Sequence, residues 1–192
     1  MTVNLSTGGN KAHQQMKDSL AALTGRQAYV GIPATTAEAR LQQIDTMFVK
    51  LKFTKTGKLS KRQKRLLKAG MYNSINNAEL LYIHTNGSSL RGIPARPVIQ
   101  PAIEDPENRV QILAELELAA KAAFEGKPEV VERQLKLAGT VAANAAKAWF
   151  TNSKNHWAPN APSTIRRKGS SRPLIDTGAL RQAITSIVDK AS

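Results

Sequence analysis

The chain has 192 residues, 28 Lys and Arg against 14 Asp and Glu, and a formal net charge of +14. Cysteine is absent, which excludes disulfides and thiolate metal sites. No window approaches a membrane span, and the N-terminus lacks the basic and apolar regions of a signal peptide, so the chain is expected to be neither membrane-spanning nor secreted by that route. The length fits a single domain over 1–192. Aromatics are only 5% of residues and Ala is abundant, which implies a modest core. The charge favours anionic partners, either nucleic acid or an acidic protein surface.

After a polar start, Ala12, Met16, Leu20 and Leu23 share one helical stripe, and Thr24-Gly25 ends that helix. Gln27–Ile32 reads as a strand closed by Pro33. From Ala34 to Asp45 the pattern predicts a helix, with Thr35 and Glu38 as a capping box and Leu41, Ile44 and Phe48 on its apolar face. Period does not decide between helix and strand for 47–53. A basic arm or insertion follows at about 50–70, and no Asp or Glu occurs between Asp45 and Glu79. Within it, Ser60 can cap a short helix through Ala69, with Gly70 as its stop. Lys55, Lys58, Lys61, Arg62, Lys64 and Arg65 are candidates for contact with DNA phosphates or an acidic partner. A solvated surface helix accounts for the same run.

The stretch 77–104 is predicted to hold a strand at Glu79–His84, with Leu80, Tyr82 and His84 on one side and Leu81 and Ile83 on the other. Asn86-Gly87-Ser88-Ser89 is turn chemistry. Ile93-Pro94-Ala95-Arg96-Pro97 cannot be a helix interior, so Arg96 sits on a stiff backbone. Asp105 then caps a helix with Pro106 first and Glu107 next, carrying Val110, Leu113, Leu116, Ala120 and Phe124 along one side. Gly126 breaks the pattern and Pro128 restarts it as far as Phe150. This second run has a narrow face of Val131, Leu135, Ala138, Ala142, Ala145 and Trp149, and Gly139 there permits close approach. Two antiparallel helices and one bent helix both fit. Acidic residues concentrate here, from Glu104 to Glu132, which suits head-to-tail contacts between copies as well as ordinary solvated faces.

A long loop is expected at about 151–173, with Arg166, Arg167 and Lys168 as further candidates for DNA or acidic-partner contact. Asp176 or Thr177 can cap a short helix through Ala183. The alternation from Ile184 to Val188 suits a strand, with a helix as the alternative at 184–189. No catalytic, cofactor-binding or metal-ligating constellation emerges. His13, His84 and His156 lack ligand spacing, and a helix cap explains Asp176 more simply than an acid catalyst does. Together the elements predict a basic, non-enzymatic α+β protein.

Three pieces of the sequence carry a resemblance: Ala28-Tyr29-Val30-Gly31-Ile32-Pro33; the run IHTNGSSLRGIPARPVIQPAIE from Ile83; and Pro159-Asn160-Ala161-Pro162 with Pro173-Leu174-Ile175-Asp176-Thr177-Gly178. In this order they resemble the tail-completion or neck proteins of tailed bacteriophages, which join head to tail. The basic insert between Thr54 and Lys68 departs from the compact versions of that family. The resemblance implies a structural virion protein, made in the host cytoplasm and built into the neck or proximal tail. It implies a small antiparallel sheet packed against one or two long helices, and a homo-oligomeric ring of roughly six or twelve copies around the DNA channel. Partners would be neighbouring neck, connector or tail proteins, with passive contact to channel DNA, no membrane and no cofactor. Asn86, Arg91, Arg96, Trp157 and Asp176 become candidates for contacts between subunits. A basic nucleic-acid-binding protein and a metal-dependent nuclease are the alternatives from other classes.

Overall fold

The structure, a computed structural model, describes residues 7–33 and 76–190. The helix expected from Ala34, the 47–53 segment and the basic arm, with Lys55, Lys58, Lys61, Arg62, Lys64 and Arg65, lie outside the described residues. The fold is α+β, rich in helix, with one two-stranded antiparallel sheet among the described residues. The chain divides into two compact units.

The first unit takes the chain up to Gly31, then Val98–Asn155, then Ile184 onward. It holds α1 (Thr7–Thr24), β1 (Arg26–Gly31), α2 (Ile99–Glu104), α3 (Pro106–Phe124), α4 (Pro128–Trp149) and β2 (Thr185–Lys190). Helix α3 begins as its sequence dictates. The Asp105 carboxylate accepts the Glu107 amide at 3.2 Å, and Pro106 takes the first position, where a missing N–H costs nothing. Between α3 and α4 the chain reverses at Gly126 (φ 73°), where the Lys127 amide reaches back to the Ala122 carbonyl at 3.0 Å. That bond satisfies an orphan carbonyl at the helix end. The two runs are therefore separate helices packed on each other, with α1 lying against both.

The core of this unit is Ala119, Ala122, Ala123, Val131 and Leu135, with Leu20, Leu23, Leu116 and Val188 against it. The expected α4 face is buried as read, from Val131 through Leu135, Ala138, Ala142 and Ala145 to Trp149. The expected α3 face is buried only in part, at Leu116 and Ala120. Val110 and Phe124 are each 68% exposed, and Leu113 is also outside the core. Helix α3 instead buries its alanines, because small side chains let two backbones approach closely and gain contacts along their whole length.

The 184–189 segment is a strand. It pairs antiparallel with β1 in a register running from Arg26↔Lys190 to Gly31↔Thr185. The sheet packs on α4 at Gly139, where an added Cβ would sit 3.0 Å from Ser186 Cβ. The exposed Arg26–Glu132 ion pair at 2.7 Å links β1 to α4 and contributes little.

The second unit takes Ile32–Pro97 and His156–Ala183. Its described elements are α5 (Asn77–Asn86), a 3₁₀ turn at Ser89–Arg91, α6 (Pro162–Lys168) and α7 (Ala179–Ala183). The strand expected at Glu79–His84 is part of helix α5. The reason is local. Asn76 Oδ1 accepts the Glu79 amide at 2.9 Å, and the Glu79 carboxylate accepts the Asn76 amide at 2.8 Å. This capping box satisfies two donors at once and outweighs a short alternation of apolar residues. Leu81 then packs inward, and Gly87 (φ 71°) ends the helix. The segment expected to be an unstructured loop over 151–173 contains a 3₁₀ turn at Ser153–Asn155 and α6. Pro162 starts α6, and Gly169, in the left-handed region, stops it.

Candidate functional site

Two of the signatures, IPARP and the C-terminal one, meet inside the second unit. The prolines hold 93–97 extended, and Arg96 is anchored there by its amide to the His84 carbonyl at 2.6 Å. Arg96 as a residue is only 6% exposed. Nε and Nη2 donate to the Ala158 carbonyl at 3.1 and 2.9 Å, and Nη2 also donates to the Pro159 carbonyl at 3.1 Å. Burial lowers the Arg96 pKa, because a charge out of water is disfavoured. Trp157 returns the contact: its Nε1 donates to the Pro97 carbonyl at 3.1 Å. Segments some 60 positions apart in sequence are thus clamped by side chain-to-backbone bonds.

Beside this clamp lies a cleft of about 830 Å³. Its apolar lining includes Leu80, Ile93, Pro94, Leu174 and Leu180. Its charged lining is Arg96, Arg167 and Lys168 against one carboxylate, Asp176. Arg167 and Lys168 stand in the last turn of α6, where cations complement the helix dipole. Lys168 Nζ donates to the Arg172 carbonyl at 3.0 Å. Its pKa is pushed down, first by desolvation; Asp176 opposes this, while Arg96 and Arg167 add to it. Leu174 holds φ 57°, an unusual conformation for a bulky residue.

The predicted contact residues are placed unevenly. Arg96, Arg167, Lys168 and Asp176 line the cleft, and Trp157 is half-buried at its hydrogen bond to Pro97. Asn86 is exposed at the end of α5, with its side-chain amide donating to the Tyr82 carbonyl at 2.9 Å. Arg91 and Arg166 are exposed and do not line the cleft. Of the two cap candidates, Thr177 accepts the amide of Ala179, the first residue of α7, at 3.3 Å. Sequence reading overlooked Asn160, which lines the cleft and donates to the Ser171 and Arg172 carbonyls at 3.1 Å each. Its place in the Pro159–Pro162 signature was the available signal.

In the first unit, Lys154 donates to Asp105 Oδ2 and Glu107 Oε1, each at 3.0 Å. The bond from Lys154 holds the Asp105 carboxyl below its usual value, and the two carboxylates raise Lys154 in turn. This ties the start of α3 to the turn after α4. Among the described residues, no group of three His, Asp or Glu side chains could hold a metal ion, and no helix is long and apolar enough to cross a membrane. No protein-family model, no curated protein and no solved structure matches this chain.

Proposed function

We propose that this protein is a structural component of a tailed-phage virion, a tail-completion or neck protein that helps join the DNA-filled head to the tail. It would act without catalysis, as a ring of copies around the DNA channel, in contact with neighbouring neck, connector or tail proteins. The observation that carries the reading is the convergence of the signature residues. Arg96 and Pro97 of the IPARP segment bond to Ala158, Pro159 and Trp157 at the edge of the C-terminal signature. The first signature, Ala28–Gly31, lies within the strand paired with the C-terminal strand. Two of the three segments that carry the resemblance are thus bonded to each other within one unit. Exposed Val110, Phe124, Tyr82 and Leu90 suit a subunit that covers apolar side chains on assembly.

The test is electron microscopy of lysates from a phage whose copy of this reading frame carries an early stop. Filled heads lying apart from tails are expected; joined particles of normal appearance would overturn the proposal. A second reading, duplex DNA binding, is favoured by the net charge of +14. It requires affinity in isolation that falls steeply with salt.

A further inference from the structure

We propose that the cleft of the second unit is a binding site for a short acidic, partly apolar peptide segment, whose carboxylate meets Arg167 and Lys168 while its apolar neighbours rest on Leu80, Ile93 and Leu174.

The charge of the walls points to an anion. Three cations, Arg96, Arg167 and Lys168, face the cleft with a single carboxylate, Asp176. Arg96 has no carboxylate partner among the described residues and spends its bonds on two neutral carbonyls. Its charge is therefore buried without a counter-ion, an arrangement that a bound anion stabilises. Arg167 is exposed and makes no hydrogen bond or ion pair among the described residues, so its fork is available for a bidentate carboxylate.

The remaining lining points to a polypeptide and away from nucleic acid. At about 830 Å³ the cleft has the size that encloses a small ligand or a few side chains. A duplex about 20 Å across would meet only its rim, and single-strand recognition relies on aromatic stacking platforms, whereas no Phe, Tyr or Trp lines these walls. Leu80, Ile93, Pro94 and Leu174 instead offer aliphatic surface beside the cations, a combination that recognises an acidic residue flanked by apolar ones. The carboxylate can be a Glu or Asp side chain or a chain terminus. This site stands independently of the virion reading, since it rests on the walls of the cleft alone.

The test is a selection of random heptapeptides, displayed with free and with amidated C-termini, on the full-length protein. Affinities of the winners are then measured by fluorescence anisotropy. The expected winners carry Asp or Glu next to Leu, Ile or Val. Their affinity falls about tenfold or more in Arg167→Glu, a loss of about 1.4 kcal/mol or more. It is largely kept in Arg167→Lys and is unchanged in Arg133→Glu, a control of equal charge change on the first unit. Dependence on the free terminus would identify a terminal carboxylate, and indifference to it a side chain; both support the site. Three results would overturn it: no acidic winners, winners that bind Arg167→Glu as well as the parent, and equal losses in Arg133→Glu, which would reveal a diffuse charge effect. Because Arg167 makes no hydrogen bond or ion pair among the described residues, Arg167→Glu loses little beyond its favourable place at the end of α6, and binding is read below a thermal midpoint measured for each variant. A 12-base-pair duplex serves as competitor. If it binds through Arg167 while no peptide does, the ligand is nucleic acid and the proposal fails.

Discussion

Replacing Arg96 with Ala should unfasten the second unit. The guanidinium joins the 93–97 segment to Ala158 and Pro159 through three contacts on two carbonyls. A hydrogen bond to a charged group contributes about 1.5–3 kcal/mol, so losing the bonds to two carbonyls costs roughly 3–6 kcal/mol. Removing a buried charge that has no counter-ion returns part of this, since its desolvation penalty vanishes. The net expectation is a destabilisation of about 2–4 kcal/mol, confined at first to the second unit. Arg96→Lys keeps the charge but has no planar fork to span two carbonyls, and should fall between the two. Hydrogen exchange read by mass spectrometry is the suitable assay, because two compact units need not unfold in one step. Peptides covering 156–176 should lose protection in Arg96→Ala while those of α4 keep theirs. Parent-like exchange over 156–176 in Arg96→Ala would refute the clamp. The resemblance suggested that Arg96 meets a neighbouring subunit. Its burial and its bonds within the chain shift the expected effect to the monomer itself.

Two further perturbations probe the first unit. Asp105 has its carboxyl held below the ordinary value by Lys154, so its contribution to stability is present above the ordinary carboxylate range and is lost as pH falls through the lowered value. The denaturation midpoint of the parent should therefore decline below about pH 4, with a smaller decline in Asp105→Asn, which can still cap α3; parallel profiles would remove this pair from the account. Gly139→Val would drive a branched side chain into Ser186, whose Cβ lies 3.0 Å from the position of an added Cβ. Overpacking of this kind costs about 1–3 kcal/mol, whereas Gly139→Ala regains up to about 1 kcal/mol of helix propensity and should come close to neutral; a Val variant with an unchanged thermal midpoint would mean that the sheet does not rest there.

Much of the first unit was legible because its signals are local and agree with one another. Asp105-Pro106-Glu107, Gly126 with Pro128, and Gly25 each act within one helical turn, and each marks a boundary where the structure has one. Gly139 was readable as a point of close approach because a helical Gly among alanines has few other uses. The second unit was misread at Glu79–His84, although the deciding signal was present. Asn76 and Glu79 stand at capping-box spacing, but the alternation of Leu80, Tyr82 and His84 was given more weight than a cap that closes two bonds. The clamp itself was not legible. That Arg96 bonds to Ala158 and Pro159 depends on how segments 62 and 63 positions apart fold together, and no local pattern encodes that. The cleft was half-visible: its cations were singled out for their charge, while its apolar walls come from four separate segments.

Helix α3 shows why an apolar stripe does not by itself identify a core. Val110, Leu113 and Phe124 have the right spacing, and so do Ala119, Ala122 and Ala123. Burying the larger side chains would remove more area from water, yet the structure buries the alanines. Tight helix pairing explains the choice. The α3 alanines cluster with Val131 and Leu135 near the start of α4, and small side chains on one helix let these larger ones on the other pack at short range. Leu and Phe in the same place would hold the helices apart. The cost is an outer face on α3 with Val110, Leu113, Leu118 and Phe124 exposed, interrupted by exposed Glu117 and Lys121. An isolated monomer gains nothing from that face. A subunit that meets a neighbour gains about 25 cal/mol for each Å² that the contact covers. Exposed apolar side chains on α3 are what a subunit covered on assembly would carry, and they agree with the proposed role without depending on the sequence signatures that first suggested it.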